Sequence, residues 1–226
     1  MEFQMTQETR INHTAQARAY HFLKNEICAG RLSASEMVDA QSISKQLQMS
    51  RVPVREAIFQ LIAEGFLSVL PNRRVIVTQL GPDKIEEIFE MRAVLEGLAA
   101  RRASYYVNAE TIVNLRFILQ RMRLAERQPD VWVQLHAEFH SVLCTLAGYP
   151  SLLAEIQRLH SMIQPYLRLY YTAYERLEMK TAEHQILVDA LQSGDGALIE
   201  AKMRDHISTA GRELANYSRE LGVKRA

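Results

Sequence analysis

Hydrophobic residues recur at intervals of three and four along most of the chain from Thr14 onward, which is the periodicity of amphipathic helices. The first predicted helix follows Thr14 and ends at Gly30. A short second helix begins at Asp39, because aspartate caps helix N-termini. A third begins at Ser50, which can also cap. Its Pro53 lies in the first turn, where a missing N–H costs little.

Two short strand-like runs follow the third helix, which is predicted to end near Gly65. Residues 66–70 read Phe-Leu-Ser-Val-Leu and residues 75–78 read Val-Ile-Val-Thr. They are joined by Pro71-Asn72-Arg73-Arg74, a turn sequence with two exposed basic residues. Three helices followed by a hairpin with a basic tip predict a winged helix-turn-helix.

Beyond Gly81-Pro82 the sequence carries only helical patterns. Asp83 is predicted to cap the first of these helices, and a second follows Asn108. Four more are expected over roughly 130–147, 151–174, 179–193 and 196–220. The predicted fold is therefore mainly α, with an N-terminal winged helix-turn-helix followed by an all-α six-helix bundle. The predicted organisation is a flexible arm at 1–13, a winged helix-turn-helix domain at 14–78, a linker at 79–82, an all-α domain at 83–220, and a tail at 221–226.

The start of the third helix carries the residues expected to contact DNA. Arg51 and Arg55 are four residues apart, so both project from one face at the exposed N-terminal end of the helix. That end of a recognition helix enters the major groove, where an arginine can pair with guanine or clamp a phosphate. The arginines of the hairpin tip can reach phosphates or the minor groove. The predicted DNA-contacting set is Gln41, Ser50, Arg51, Val52, Pro53, Arg55, Arg73 and Arg74.

Overall composition limits the alternatives. A net charge of +1 provides no global positive field, so DNA contacts depend on locally placed arginines. Cys28 and Cys144 have no close partner spacing and are interpreted as reduced packing residues. No apolar run is long enough to span a bilayer and the N-terminus is polar, so the sequence predicts a cytoplasmic protein without a membrane partner.

Four histidines form a candidate metal site. His136 and His140 are four apart, so both rings leave one face of a helix. His184 and His206 lie on two later helices, and each is expected to face the way its apolar neighbours do. Several imidazoles on different helices of a bundle are a common way to build a metal site. For each histidine taken alone, a packing or surface role is the better interpretation, and only the four together favour a metal.

A set of short motifs is spread over about residues 14–215. They are Gly30-Arg31-Leu32, Ser50 to Ala57, Leu61 to Leu67, Glu90 to Glu96, Phe139-His140, Gly148-Tyr149-Pro150, Glu183-His184 and Arg204-Asp205-His206. With these motifs the chain resembles the GntR family of bacterial transcription regulators, in its FadR-like branch with an FCD effector domain. The resemblance implies that residues 14–78 bind DNA and that residues 83–220 form an effector-binding and dimerisation domain. The family usually has a glycine where this chain has Arg74, and an aspartate where it has His136.

The resemblance implies roles for individual residues of the second domain. It places His140, His184 and His206 at the histidine ligand positions of a divalent metal and His136 at the acidic one. Imidazole in place of a carboxylate favours Zn²⁺, Ni²⁺ or Cu²⁺ over Mn²⁺ or Mg²⁺, with Zn²⁺ or Ni²⁺ the predicted ion, and it leaves open whether His136 binds the metal. Arg92 matches a position facing the effector cavity, although a surface salt bridge with Glu96 explains it equally well. Tyr170 belongs to a tyrosine stripe from which a hydroxyl is expected to reach the pocket. No role is assigned to His13, His21 or His160.

These observations predict a ligand-responsive transcription regulator that binds double-stranded DNA as a homodimer on a palindromic operator. Its effector is expected to be a small molecule, with a carboxylate the predicted class, and it is not expected to be an enzyme. Two alternatives stay open. One is a metal-dependent hydrolase with an N-terminal adaptor domain, although helical geometry predicts that Glu138 and Glu183 are badly placed as bases. The other is a metal-free regulator that binds a larger acyl ligand.

Overall fold

The computed structural model of the protein describes residues 14–173 and 177–225. Within them the chain forms nine helices and two strands. It divides into two compact units between Leu80 and Gly81. The predicted arm at 1–13, with His13, lies outside the described residues, as does Tyr174. Within the described residues, no helix combines the length and the hydropathy that crossing a bilayer requires.

The first unit has three helices and a hairpin. Its elements are α1 (Ala15–Cys28), α2 (Ala40–Gln46), α3 (Arg51–Ala63), β1 (Leu67–Val69) and β2 (Val75–Val77). Helix α3 packs against both α1 and α2. The strands pair antiparallel with Ser68 opposite Ile76, and an isolated bridge joins Met37 to Ile76. This arrangement is a winged helix-turn-helix, as the sequence predicts.

The second unit contains the remaining six helices. They are α4 (Pro82–Ala103), α5 (Ala109–Leu124), α6 (Pro129–Thr145), α7 (Pro150–Ala173), α8 (Leu177–Gln192) and α9 (Gly196–Arg225). Helix α4 is central to the bundle, because α6, α7 and α9 all pack against it. The predicted fold class is therefore confirmed.

Two helix ends differ from the sequence prediction. The N-cap of α4 is Gly81 rather than Asp83, because Pro82 occupies the first helical position, where its fixed φ fits and its missing N–H is not needed. Asp83 lies in the first turn, where its charge favours the helix dipole. Helix α9 continues to Arg225, so residues 221–225, predicted as a tail, are helical.

Candidate functional site

The N-terminal end of α3 presents a polar and basic surface to solvent. Arg51, Val52 and Arg55 are exposed, whereas Pro53 is partly buried. The Arg55 guanidinium lies 6.0 Å from the ring centroid of Phe59, which is itself 60 % exposed. An arginine and a large apolar ring are thus held side by side on the outer face of the helix.

Ser50 occupies the N-cap position of α3, but its side chain makes no capping hydrogen bond. The expectation that it caps is wrong in this respect. Thr14 and Asp39 each accept from the third residue of their helix, Ala17 and Ser42. The equivalent residue of α3 is Pro53, which has no N–H to donate. The exposed hydroxyl of Ser50 is therefore not committed to a capping bond.

The hairpin tip is held by backbone hydrogen bonds. Arg73 N donates to Leu70 O at 2.8 Å, and Leu70 N donates to Arg74 O at 2.8 Å. Arg73 has φ +64°, a left-handed conformation that is uncommon for non-glycine residues. The residue that replaces the family's glycine is Arg74, which is not among the positive-φ residues, so this replacement introduces no backbone strain. Both arginines are exposed, and so is Gln41 on α2.

Four imidazoles converge in the centre of the second unit. His136 and His140 come from α6, His184 from α8 and His206 from α9, and one ligand atom from each lies within 4.8 Å of the others. Ring centroids are 4.6 Å apart for His136 and His140, and 4.5 Å apart for His184 and His206. Trp132 stacks on His136 at 5.2 Å. The structure therefore brings together all four residues predicted as metal ligands.

The hydrogen bonding of these rings leaves nitrogen lone pairs free. Nδ1 of His184 lies 2.7 Å from the Lys180 carbonyl oxygen. A carbonyl only accepts, so the proton is on Nδ1 and the lone pair is on Nε2. Nε2 of His140, His184 and His206 is buried in each case without a hydrogen-bond partner, as is Nδ1 of His136. Buried nitrogens without partners are costly unless a further group binds them.

A buried ion pair on α4 lies beside the histidines. Arg92 Nε donates to Glu96 Oε1 at 2.7 Å, and both side chains are at most 1 % exposed. Glu96 Oε2 lies 2.8 Å from His140 Nδ1, within ion-pair distance although without hydrogen-bond alignment. The pair predicted as a surface salt bridge therefore exists in the core. Both terminal nitrogens of Arg92, Nη1 and Nη2, are buried without partners.

Burial and neighbouring charges shift the ionisation of this cluster. Burial holds the pKa values of His136 and His184 well below their usual range. Burial also lowers the pKa of His140, although Glu96 opposes the shift. Burial alone would raise the pKa of Glu96, but Arg92 and then His140 outweigh it and lower that pKa. Low pKa values leave His136, His140 and His184 neutral beside an ionised carboxylate, and neutral imidazole is the form that binds metals.

Two further residues lie against the cluster that the sequence interpretation did not assign to it. His160 of α7 lies with its ring centroid 6.0 Å from that of His136, and burial lowers its pKa to about 3. The sequence sign that His160 is buried is its position on the apolar face of α7, where it lies four residues after Ile156 and three before Ile163. Tyr171 is also close, with its ring 6.0 Å from that of His136.

Other candidate residues lie differently from expectation. The hydroxyl of Tyr170 donates to Glu213 Oε2 at 3.3 Å, so this tyrosine is tied to α9 and its neighbour Tyr171 faces the histidines. Glu183 contacts the cluster from the side, because its Oε2 lies 3.6 Å from Nδ1 of His206 rather than from the nitrogen without a hydrogen-bond partner, Nε2. Ile186, expected to face inward with His184, is 51 % exposed.

The four-histidine set fits a divalent transition metal. Imidazole nitrogens bind Zn²⁺ at about 2.0–2.1 Å, which places tetrahedral donors about 3.4 Å apart. Donor atoms already within 4.8 Å of one another need only small side-chain movements to reach that spacing. The burial of the four rings and their buried nitrogens without hydrogen-bond partners both agree with metal binding.

The two units together define a class of protein. A winged helix with an exposed basic recognition helix is a DNA-binding module. A helical bundle with a buried, polar, incompletely bonded centre is suited to sensing a small ligand. A chain that contains both a DNA-binding module and a ligand-sensing bundle has the parts of a ligand-responsive DNA-binding regulator.

Comparisons with known proteins identify the family. Residues 15–77 match the model for bacterial regulatory proteins of the gntR family, and residues 87–209 match the FCD domain. The transcriptional repressor RspR of Escherichia coli K12 is 25 % identical over 223 residues, 96 % of each chain. The repressor GlaR of the same organism is 28 % identical over 200 residues, 84 % of this chain and 91 % of GlaR. The solved structure of E. coli McbR/YncC covers 90 % of this chain and 98 % of its own with a TM-score of 0.79, and its 22 % identity shows a shared fold.

The chain belongs to the GntR family of bacterial transcription regulators and carries an FCD effector domain. The resemblance drawn from its motifs is confirmed. The protein is a DNA-binding regulator that senses a ligand.

Proposed function

We propose that this regulator binds a palindromic operator as a homodimer, and that a small carboxylate bound beside a divalent metal changes its affinity for that operator. Residues 14–78 are assigned to DNA binding and residues 83–220 to effector binding and dimerisation, with 79–82 as the linker. Because the proposed partner is an operator on the chromosome, the protein is proposed to act in the bacterial cytoplasm. The relatives are named as transcriptional repressors, which supports a regulator rather than an enzyme.

The observation that carries the effector proposal is the state of Arg92. Its guanidinium is 1 % exposed and uses only Nε in pairing with Glu96, leaving both Nη groups buried without partners. Buried donors of a charged group are expensive to leave unbonded. A carboxylate matches a guanidinium edge with two parallel hydrogen bonds. Arg92 is therefore the proposed effector anchor, and Tyr171 replaces Tyr170 as the tyrosine proposed to lie nearest the ligand.

The proposed metal is Zn²⁺ or Ni²⁺, held by His136, His140, His184 and His206. The donor set supplies neutral nitrogens, which suit these ions better than Mg²⁺ or Mn²⁺. Glu96 and the Lys180 carbonyl orient His140 and His184 from behind, as carboxylates and carbonyls commonly do for metal-binding histidines. The metal supplies a positive charge to which an effector carboxylate can bind.

The proposed DNA contacts follow from exposure. Arg51, Val52 and Arg55 face solvent at the start of α3, and the uncommitted Ser50 hydroxyl lies beside the unpaired N–H groups of that helix end. Such an end favours a phosphate. Gln41, Arg73 and Arg74 are exposed and are assigned to the DNA backbone, while partly buried Pro53 shapes the helix start.

Calorimetry tests the effector proposal directly. Apo and metal-loaded protein are titrated with a panel of small mono- and dicarboxylates, and binding is expected only to the loaded form. Binding of a long acyl chain regardless of metal contradicts the metal-dependent site and supports the acyl-sensing alternative. Metal-dependent turnover of an ester, amide or lactone supports the hydrolase instead.

Arg92→Lys is expected to weaken effector binding by about 10- to 100-fold, because lysine retains the charge but loses the planar fork of donors. Lysine is preferred to alanine, because alanine leaves Glu96 buried without its cation at a cost of about 3–5 kcal/mol. Calorimetry gives the dissociation constant and thermal melting checks the fold. A dissociation constant equal to that of the wild type contradicts the proposed anchor.

Arg73→Gly is expected to weaken DNA binding evenly across sequences and to lower the slope of log affinity against log salt by about one. Glycine adopts the left-handed φ of Arg73 without strain, so the hairpin turn is kept while the charge is lost. Fluorescence anisotropy at several salt concentrations measures the slope. Arg31→Ala, which removes an exposed arginine paired with Glu26, serves as the control and is expected to leave the slope unchanged.

A further inference from the structure

The outward face of α4 carries a regular stripe of exposed residues. Successive members are three, four, three, four and three positions apart. At about 100° per residue they fall within an arc of about 100° on the helix. All six are exposed. These residues, called the α4 seam below, are Lys84, Glu87, Met91, Val94, Leu98 and Arg101.

The centre of the α4 seam is apolar. Met91, Val94 and Leu98 are 37 %, 51 % and 40 % exposed. Helices α6, α7 and α9 pack against α4, and the buried residues of α4 all lie outside the seam. Apolar residues alternating at three and four on an exposed face are the pattern of a helix that pairs with another helix. The seam therefore has the form of an interhelical contact without a partner among the described residues.

The charged ends of the α4 seam indicate what that partner is. Glu87 precedes the apolar centre and Arg101 follows it. A second α4 in parallel would put Glu87 against Glu87 and Arg101 against Arg101. A second α4 in antiparallel orientation, centred at Val94, puts Glu87 against Arg101, since each is seven residues from the centre. It also brings Met91 close to Leu98, since these residues are three and four positions from the centre. The seam is thus complementary to itself in one orientation only.

We propose that two copies of this chain associate through the α4 seam in antiparallel orientation, with the two-fold axis close to Val94. The proposal deepens the homodimer of the proposed function, on which it rests, by assigning its interface. An isologous contact requires one surface to be complementary to itself, which the order of charges in the seam provides. From Lys84 to Arg101 the seam is about 26 Å long, long enough for a substantial helix pair.

The ion pairs within the chain leave room for these contacts. Glu87 is paired with Lys84 at 2.7 Å and is 55 % exposed. Arg101 lies 3.5 Å from Glu200 and is 54 % exposed. Each can therefore accept a further partner from the second copy. Since exposed ion pairs contribute little affinity, the charges set the orientation and the three apolar residues supply the binding.

The first test replaces the centre of the seam. Val94→Glu puts two carboxylates at the two-fold axis and is expected to weaken dimerisation of the full-length protein by at least about 100-fold. Sedimentation equilibrium measures the dimer, and circular dichroism and metal content check the fold. Val113→Glu is the matched control, because Val113 is 67 % exposed on α5 outside the seam, and it is expected to leave the dimer intact.

The second test examines orientation. Glu87→Arg and Arg101→Glu are each expected to weaken the dimer by about tenfold, because two symmetry-related contacts become repulsive. The double variant is expected to recover most of the lost affinity. Recovery requires the two residues to face each other across the interface. If the double variant is as weak as the single variants, the antiparallel pairing is wrong.

The third test uses a cross-link. Val94→Cys is expected to form a disulfide-linked dimer on mild oxidation. The wild type, which has only Cys28 and Cys144, is not expected to form one, and neither is the control Val113→Cys. If Val94→Glu still forms a dimer and Val94→Cys does not cross-link, the α4 seam is not the interface. The proposed operator-binding homodimer is not contradicted by that result. A wild-type protein that is monomeric at micromolar concentration, with and without operator DNA, overturns both.

Discussion

His184→Ala is expected to reduce bound metal from about one equivalent per chain to below about a tenth of one. His184 is completely buried, and its Nδ1 is fixed by the Lys180 carbonyl so that Nε2 faces the other imidazoles. Alanine removes one of four nitrogen donors and has no atom that replaces it. Metal analysis of the purified protein gives the occupancy directly.

The same variant is expected to lose the effector response and to keep most of its DNA affinity, because the winged helix is a separate compact unit. His21→Ala is the matched control, since His21 is exposed on α1 and is expected to retain full occupancy. His136→Asp is expected to keep or strengthen the site, because it restores the carboxylate usual in the family. Wild-type protein that takes up no metal even on reconstitution contradicts the site.

Arg55→Ala is expected to weaken binding to the specific operator by about 1–3 kcal/mol, or about 5- to 150-fold. The reason is that Arg55 is exposed on the outer face of α3, where a guanidinium can pair with the edge of a guanine. Binding to unrelated DNA is expected to change much less, because it depends on phosphate contacts that remain.

Mobility-shift titrations with operator and with scrambled DNA distinguish these effects. Arg123→Ala removes an exposed arginine from the bundle and is expected to bind the operator like the wild type. If Arg55→Ala weakens binding to operator and to scrambled DNA equally, Arg55 contacts a phosphate rather than a base. Wild-type affinity on both contradicts its assignment to the interface.

Local signals in the sequence predicted most of the fold. Thr14, Asp39 and Asn108 each cap a helix through a side-chain bond to its third residue, as their residue types suggest. Ser50 makes no capping bond to α3 because Pro53, the third residue of that helix, has no N–H to donate. The predicted start of α4 is two residues later than the observed one, because Pro82 is the first residue of the helix rather than part of the linker before it.

The site was predicted less completely than the fold. The four histidines were found because their spacing and the family resemblance converge. The contact of Glu96 with His140 and the place of His160 beside the cluster are not predicted, because the burial of a polar residue depends on helices distant in sequence. Arg92 and Glu96 lie on the apolar face of α4 with Phe89 and Ala99, which was the available sign that their ion pair is buried.

Helix α4 places two different surfaces on one rigid rod. Arg92 points into the bundle beside the histidines, and the adjacent Met91 lies on the outer face. If α4 turns by about 20° about its axis, side-chain atoms about 5 Å from that axis move by roughly 1.7 Å on every side at once. A rotation of α4 driven from the guanidinium would therefore move Met91, Val94 and Leu98 at the same time, without a relay of intervening side chains.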